Sequence, residues 1–386
     1  LSALGKWKWA FRTLTALVLA TSARSARAQG TKTLDQAGSV GVSGKKQDDR
    51  RSYGGLVVPA VYYSPETKLA GGVAGFGYFR LPGETLDDRP SSVKGDFIYT
   101  VNKQLLVQLS PTLYIDHGKF LLESEVSYER LFDRFWGIGP NTPKENDDPF
   151  NYTLFRGRVG LSRQLAPFAY FGMQAHAEEI TVTSLERPDG ELAKNPLVLG
   201  RGGSLVTGLG FRFVYDSRDN YLSSRTGTYV AVQGMFYGRA LGGTHSYSLF
   251  TVDVRKYFPV WFGHVIALQG YGASTYWDVP FSHLPALGGQ FRMRGYFEGR
   301  FRDANAVIAQ AEYRFPIVWR FGGVAFGSAG MVAPSLLDFK PADIKGAAGG
   351  GLRFLFDKDE RLNGRFDVGV SNEGEANFYL QINEAF

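Results

Sequence analysis

Val307-Ile308-Ala309-Gln310-Ala311-Glu312-Tyr313-Arg314-Phe315 changes character at every residue. Val307, Ala309, Ala311, Tyr313 and Phe315 share one face; Ile308, Gln310, Glu312 and Arg314 share the other, as side chains do along a strand. The scheme recurs in Val107–Ile115, where Val107, Leu109, Pro111, Leu113 and Ile115 oppose Gln108, Ser110, Thr112 and Tyr114. In 366–371, Phe366, Val368 and Val370 oppose Asp367, Gly369 and Ser371. A weak apolar/polar dyad broken by turn residues is the signature of a transmembrane barrel.

Working outward, the pattern predicts strands near 55–63, 68–80, 91–100, 104–115, 119–130, 152–163, 167–183 and 202–216. A second set falls near 226–239, 245–258, 263–277, 303–315, 320–332, 345–356, 362–372 and 376–386. Sixteen is an even number, as single-chain outer-membrane barrels require. The expected fold is all-β, a sixteen-stranded antiparallel transmembrane β-barrel. A soluble sandwich shares the alternation but does not account for so many segments. With the N-terminus in the periplasm, the long connections 131–151, 184–201 and 278–302 fall outside the cell. Two turns on the periplasmic side, Tyr257-Phe258-Pro259-Val260-Trp261 and Arg314-Phe315-Pro316-Ile317-Val318-Trp319, resemble copies of each other. Their aromatic rings suit the membrane interface.

Composition agrees. The 386 residues include 48 glycines, 56 Phe, Tyr and Trp together, and no cysteine, which excludes a disulfide scaffold and thiolate metal sites. Residues 1–28 contain Lys6, Lys8, Arg12, Arg24 and Arg27 and no acid. Setting these five aside leaves 38 Lys and Arg against 37 Asp and Glu, so a nucleic-acid footprint loses its support. The same stretch has a basic start, the apolar run Leu14–Ala20 and an Ala26-Arg27-Ala28 cleavage pattern. It reads as a signal peptide. Residues 29–53 read as a flexible N-terminal extension and 54–386 as the barrel. The longest later uncharged stretch, Phe321–Leu337, holds four glycines and Pro334 and makes a poor spanning helix.

Chemistry is sparse. His117, His176, His245, His264 and His283 form no recurring Ser-His spacing, and no G-x-S-x-G elbow occurs. No catalytic residue, cofactor or metal is called for. Asp216 and Asp219, beside Arg218 and Arg225, read as ion pairs in a turn. Residues 284–303 are different: four arginines sit among glycines and aromatics in a connection too long for a simple hairpin.

Within it, Gln290-Phe291-Arg292-Met293-Arg294-Gly295-Tyr296 resembles the VRG(F/Y) loop of the BamA/TamA family, the bacterial surface antigen group. Val214-Tyr215-Asp216-Ser217-Arg218-Asp219-Asn220, followed by Arg225-Thr226-Gly227-Thr228-Tyr229, is similar to that family's periplasmic turn. Tyr62–Thr67 and the closing Phe378–Phe386 fit as well. The resemblance covers roughly 54–386. It implies an inward-folded external loop, in which Arg294 lies inside the barrel beside Gly295 and Tyr296 and pairs with Glu312. The family's second acid falls in Phe326-Gly327-Ser328-Ala329-Gly330, where Ser328 replaces aspartate and supplies no charge, so the lock is either weaker or borrows Asp367 from the lumen side of a later strand. The periplasmic turn motif would comprise Asp216, Arg218, Asp219 and Gly227. The terminal signal would place Phe378, Leu380, Ile382 and Phe386 on the lipid face, with Glu384 near the interface.

The resemblance further implies a protein of the bacterial outer membrane that inserts or translocates polypeptides, or lipids, through a seam between first and last strands. Pro59 suits such a seam because proline deletes a ladder donor. A local bulge at the strand start is the alternative. The family's periplasmic POTRA modules do not fit in the 25 residues after the leader. Expected partners are outer-membrane lipids and client polypeptides or an unidentified accessory protein. A passive outer-membrane channel, or a barrel-embedded hydrolase, would keep the same fold.

Overall fold

The computed structural model describes residues 53–85, 88–220, 222–358 and 361–386. The expected leader and nearly all of the 29–53 extension lie outside the described residues. The first eight strands are β1 (Tyr53–Ser64), β2 (Lys68–Phe79), β3 (Ser91–Thr100), β4 (Leu105–Ile115), β5 (Phe120–Phe135), β6 (Asp148–Ala166), β7 (Ala169–Leu185) and β8 (Gly203–Asp216). Then come β9 (Gly227–Tyr237), β10 (Tyr247–Pro259), β11 (Val265–Trp277), β12 (Asn305–Val318), β13 (Phe321–Ala333), β14 (Lys345–Asp357), β15 (Leu362–Ser371) and β16 (Ala376–Ile382). Each pairs antiparallel with its sequence neighbours, and β1 meets β16 to close the barrel. A short ribbon, Ala286–Leu287 against Phe301–Arg302, sits within the 278–304 connection.

Alternation decides which way each strand faces. In β4, Val107 and Leu109 are exposed on the outer surface while Leu106 and Thr112 are buried inside. The outer face continues through Phe97, Tyr99, Leu161, Leu209, Val252, Val254 and Leu268. Water would not tolerate so continuous an apolar band, whereas lipid does. Glu123, Glu125, Glu129, Arg156, Glu178, Glu312 and Asp367 are all buried within. Charged groups there survive by pairing with one another.

Strands β5 and β6 run further toward the loop end than the sequence pattern suggested, and the connection between them shrinks to 136–147. Leu131, Phe135, Phe150 and Tyr152 continue the inward alternation and bury against Phe281. Phe281 approaches the Phe135 and Phe150 rings at 5.4 and 5.6 Å between centroids.

The last strand ends early, and here the lipid-face expectation fails for Phe386. Phe378 and Leu380 face outward, and the strand stops at Ile382. Asn383 then adopts a left-handed φ of 70°, which breaks the two-residue period. Residues 383–386 turn inward, and Phe386 packs with Tyr257, Ala267 and Ala385. Glu384 is likewise buried, paired with Arg353 at 2.7 Å, instead of lying at the lipid interface.

The β1–β16 closure is thin. Its ladder holds one registered pair, Tyr63 opposite Leu380, whereas β15 and β16 stay paired from Gly364↔Ile382 to Val370↔Ala376. Pro59 lies exposed opposite Val73, and the β1–β2 register passes through it without a shift, which removes the bulge alternative.

Candidate functional site

The 278–304 connection enters the barrel. Met293 and Gly295 both take left-handed φ values, 52° and 122°. A Cβ on Gly295 would lie 2.9 Å from the Val370 carbonyl carbon, so glycine is required by dihedral and by space. The turn presents Arg294 to β12 and β15. Its Nη2 donates to Glu312 Oε1 and its Nη1 to Asp367 Oδ2, the latter at 2.5 Å. Phe326 of β13 lies beneath the guanidinium, 3.7 Å from centroid to Cζ. Ser328 does not take part; its hydroxyl donates to the Ala347 carbonyl at 3.3 Å. Asp367 of β15 is the second carboxylate that the Arg294 guanidinium meets.

Three further arginines complete the cluster. Arg314 reaches Glu312 at 2.7 Å, Arg353 reaches Asp367 at 2.5 Å, and Arg365 reaches Asp367 at 3.2 Å. Four cations therefore share Glu312, Asp367 and Glu384, an arrangement that tolerates burial only because every carboxylate is shared. Arg314, Arg353 and Arg365 carry no distinguishing neighbours in the chain. Polar-face residues of separate strands reveal their partners only once the barrel closes.

The loop also bridges the closure from inside. Gly295 N–H donates to the Tyr379 hydroxyl at 3.0 Å, and Asn377 Nδ2 donates to the Gly295 carbonyl at 2.8 Å, both on β16. Tyr296 bonds to Asn372. On the opposite side, Glu298 N–H donates to Glu66 Oε1 at 3.0 Å, in the turn between β1 and β2. The base of the loop has a second tie: His283 Nε2 meets Glu178 at 2.9 Å and its Nδ1 meets the Tyr247 hydroxyl at 2.8 Å. Glu178 in turn accepts from Arg156 at 2.8 Å. His283 is thus a structural anchor that the histidine spacing gave no reason to single out.

At the turn end, Arg218 grips Asp216 with two bonds of 2.9 and 2.8 Å. Asp219 takes Arg361, at 2.5 Å, as its ion-pair partner and accepts the Arg225 and Thr226 amides. Gly227 has φ 103°, and a Cβ there would meet Ser217 O at 2.4 Å. This turn contacts the C-terminal tail. Glu384 N–H donates to Leu222 O, and Arg314 donates to Ser224 O at 3.3 Å and to the Phe386 carbonyl at 2.8 Å.

A closed sixteen-stranded barrel, apolar outside and charged inside, with its longest loop held in the lumen, defines a bacterial outer-membrane β-barrel. The Omp85 superfamily domain matches residues 120–386, and the chain belongs to that superfamily. No curated protein sequence matches it significantly. Among solved structures it is similar to BamA from Haemophilus ducreyi lacking POTRA domains 1–3. The TM-score is 0.60 at 14% identity, with 85% of this chain and 70% of that one covered. CdiB from Acinetobacter baumannii gives TM-score 0.54 at 14% identity, over 86% of this chain and 59% of that one. CdiB from Escherichia coli gives 0.51 at 13%, over 84% and 62%. The chain thus spans less than two thirds of either CdiB chain. The fold and family place the protein in the bacterial outer membrane.

Proposed function

We propose that the barrel inserts or translocates polypeptides, with lipids as the alternative cargo, through a lateral seam between β1 and β16. The observation that carries this reading is the single registered pair, Tyr63↔Leu380, across that closure. Backbone groups of β1 before Tyr63 lack, on this side, the regular ladder that the other neighbouring strand pairs of the barrel form, and an incoming strand gains hydrogen bonds by supplying it. Pro59 falls opposite position 384, past the end of β16, and so leaves one position without a donor in the stretch of β1 that the closed seam does not cover. The loop tie at Arg294 supports the same reading, because Gly295 and Glu298 touch both sides of the seam. Release of the loop and opening of the seam are then one event. Asp216, Arg218, Asp219 and Gly227 form the turn that holds the tail carrying Glu384 and Phe386 inside the barrel. Client polypeptides, or an accessory protein that delivers them, are the partners this requires, within a lipid bilayer.

A photoreactive residue in place of Val61, exposed on β1, should form adducts with a client barrel precursor during assembly in proteoliposomes. The same residue in place of Val252, on the far wall, should form none. Equal adducts at both positions would remove the seam from the reading.

A further inference from the structure

We propose that the outer rim of β1–β5 binds a phosphate-bearing lipid head group of the outer leaflet through Lys68, Lys103 and Arg130. The proposal needs the membrane placement but not the seam. The β1–β2 and β3–β4 tips lie at the same end of the barrel as the long connections 136–147, 186–202 and 278–304, and the longer connections of an outer-membrane barrel face outward, so these tips lie on the outer side. Lys68 and Lys103 occupy those tips with left-handed φ values of 56° and 60°. Glycine or asparagine fills such positions with less strain, yet a lysine stands at both. The tips are adjacent, since Val101 N–H donates to Leu69 O at 3.0 Å. Arg130 lies opposite Leu105 and donates to Lys103 O at 3.0 Å, which fixes its guanidinium beside the second tip.

All three cations are exposed. Directly membraneward, Leu69, Tyr99, Val101 and Tyr128 are exposed on the outer surface, giving acyl chains an apolar wall. The carboxylates of this arc are elsewhere: Glu123, Glu125, Glu129 and Asp133 are buried on the inner face, and Glu66 folds inward to Glu298. Three other cations of this rim are committed to loop contacts, Arg134 to Asp147 at 2.8 Å, Lys144 to Glu375 at 3.3 Å and Arg239 to Asp278 at 3.5 Å. Among the described residues, Lys68, Lys103 and Arg130 have no carboxylate partner. Long basic side chains over an apolar band, with their charges at head-group level, attract anionic lipid and respond to salt.

The test uses the full chain in mixed micelles containing equal phosphatidylglycerol and phosphatidylcholine, with retained lipid counted by native mass spectrometry. The parent should retain phosphatidylglycerol in preference. A K68Q/K103Q/R130Q variant should lose that preference by on the order of a hundredfold, about fivefold per cation. Heat-modifiable gel mobility checks that the variant barrel is folded; if it is not, each single substitution should still lower the preference in part. Excess inorganic phosphate should not displace the lipid, because it lacks the acyl contacts. Equal retention by variant and parent, no preference in the parent, or full displacement by inorganic phosphate would each overturn the proposal.

Discussion

Removing the Arg294 side chain leaves Glu312 with Arg314, and Asp367 with Arg353 and Arg365. Arg294→Ala should therefore cost less than the about 3–5 kcal/mol typical of breaking a buried pair, because the carboxylates keep partners. Asp367→Asn is worse, since three guanidiniums then face one another across the lumen. Ser328→Ala removes one long bond to a carbonyl and should cost under about 1 kcal/mol. In limited proteolysis from the outer side, the arginine and aspartate variants should expose residues 284–303 while the barrel persists, and the serine variant should match the parent. Equal exposure in Asp367→Asn and Ser328→Ala would show that the cluster does not hold the loop. The inward position of Glu312 was legible because it sits on the polar side of an alternating strand, and Arg294 as its partner followed from the resemblance of Gln290–Tyr296 to the family loop. Phe326 under the guanidinium was not, because its inward parity says nothing about which loop residue crosses above it.

At the level of elements, strand number and order were readable from the dyad alone, while ends were not. The pattern in β16 extrapolated Phe386 onto the lipid face. Asn383 interrupts it, and the tail gains Arg314, Arg353 and the 219–226 turn as partners. No local signal distinguishes a strand that continues from one that turns inward to reach a distant arginine. Turn chemistry offers a separate check at this scale. His117 meets Asp88 at 2.8 Å, joining the β4–β5 turn to the β2–β3 connection. The hydrogen bond raises the His117 pKa, while the Thr85 amide first, and then His117, lowers Asp88 to about 2. The raised histidine contributes below its ordinary value near 6.5 and is lost as pH rises through its folded pKa; the depressed aspartate is lost as pH falls toward 2. Histidine NMR should find His117 titrating above its ordinary value, and Asp88→Asn should return it downward. An unchanged midpoint in that variant would dissolve the pair.

For the whole molecule, the lumen is occupied by the 278–304 loop near the outer side and by the tail with the 219–226 turn near the periplasmic side. A passive channel would need that space open. In planar bilayers the protein should show small, flickering conductance that grows when residues 288–298 are deleted. Large, steady conductance indifferent to that deletion would favour the passive channel. The interior was only partly foreseeable: alternation told which side chains face inward, but not that the Glu178–His283 and Asp367–Arg294 ties together would draw one loop across it.

The seam is the claim on which the functional account rests, and its one registered pair supplies the test. Tyr63 opposite Leu380 fixes the register of the closure and sets position 61 against 382. The chain has no native cysteine to interfere, so Tyr63→Cys with Leu380→Cys places two thiols on opposed residues of the closure, where a disulfide can form. Client insertion into proteoliposomes should cease when the disulfide forms and return on reduction, with heat-modifiable mobility unchanged throughout. Full activity in the cross-linked barrel would contradict a lateral seam and send the cargo through the lumen instead.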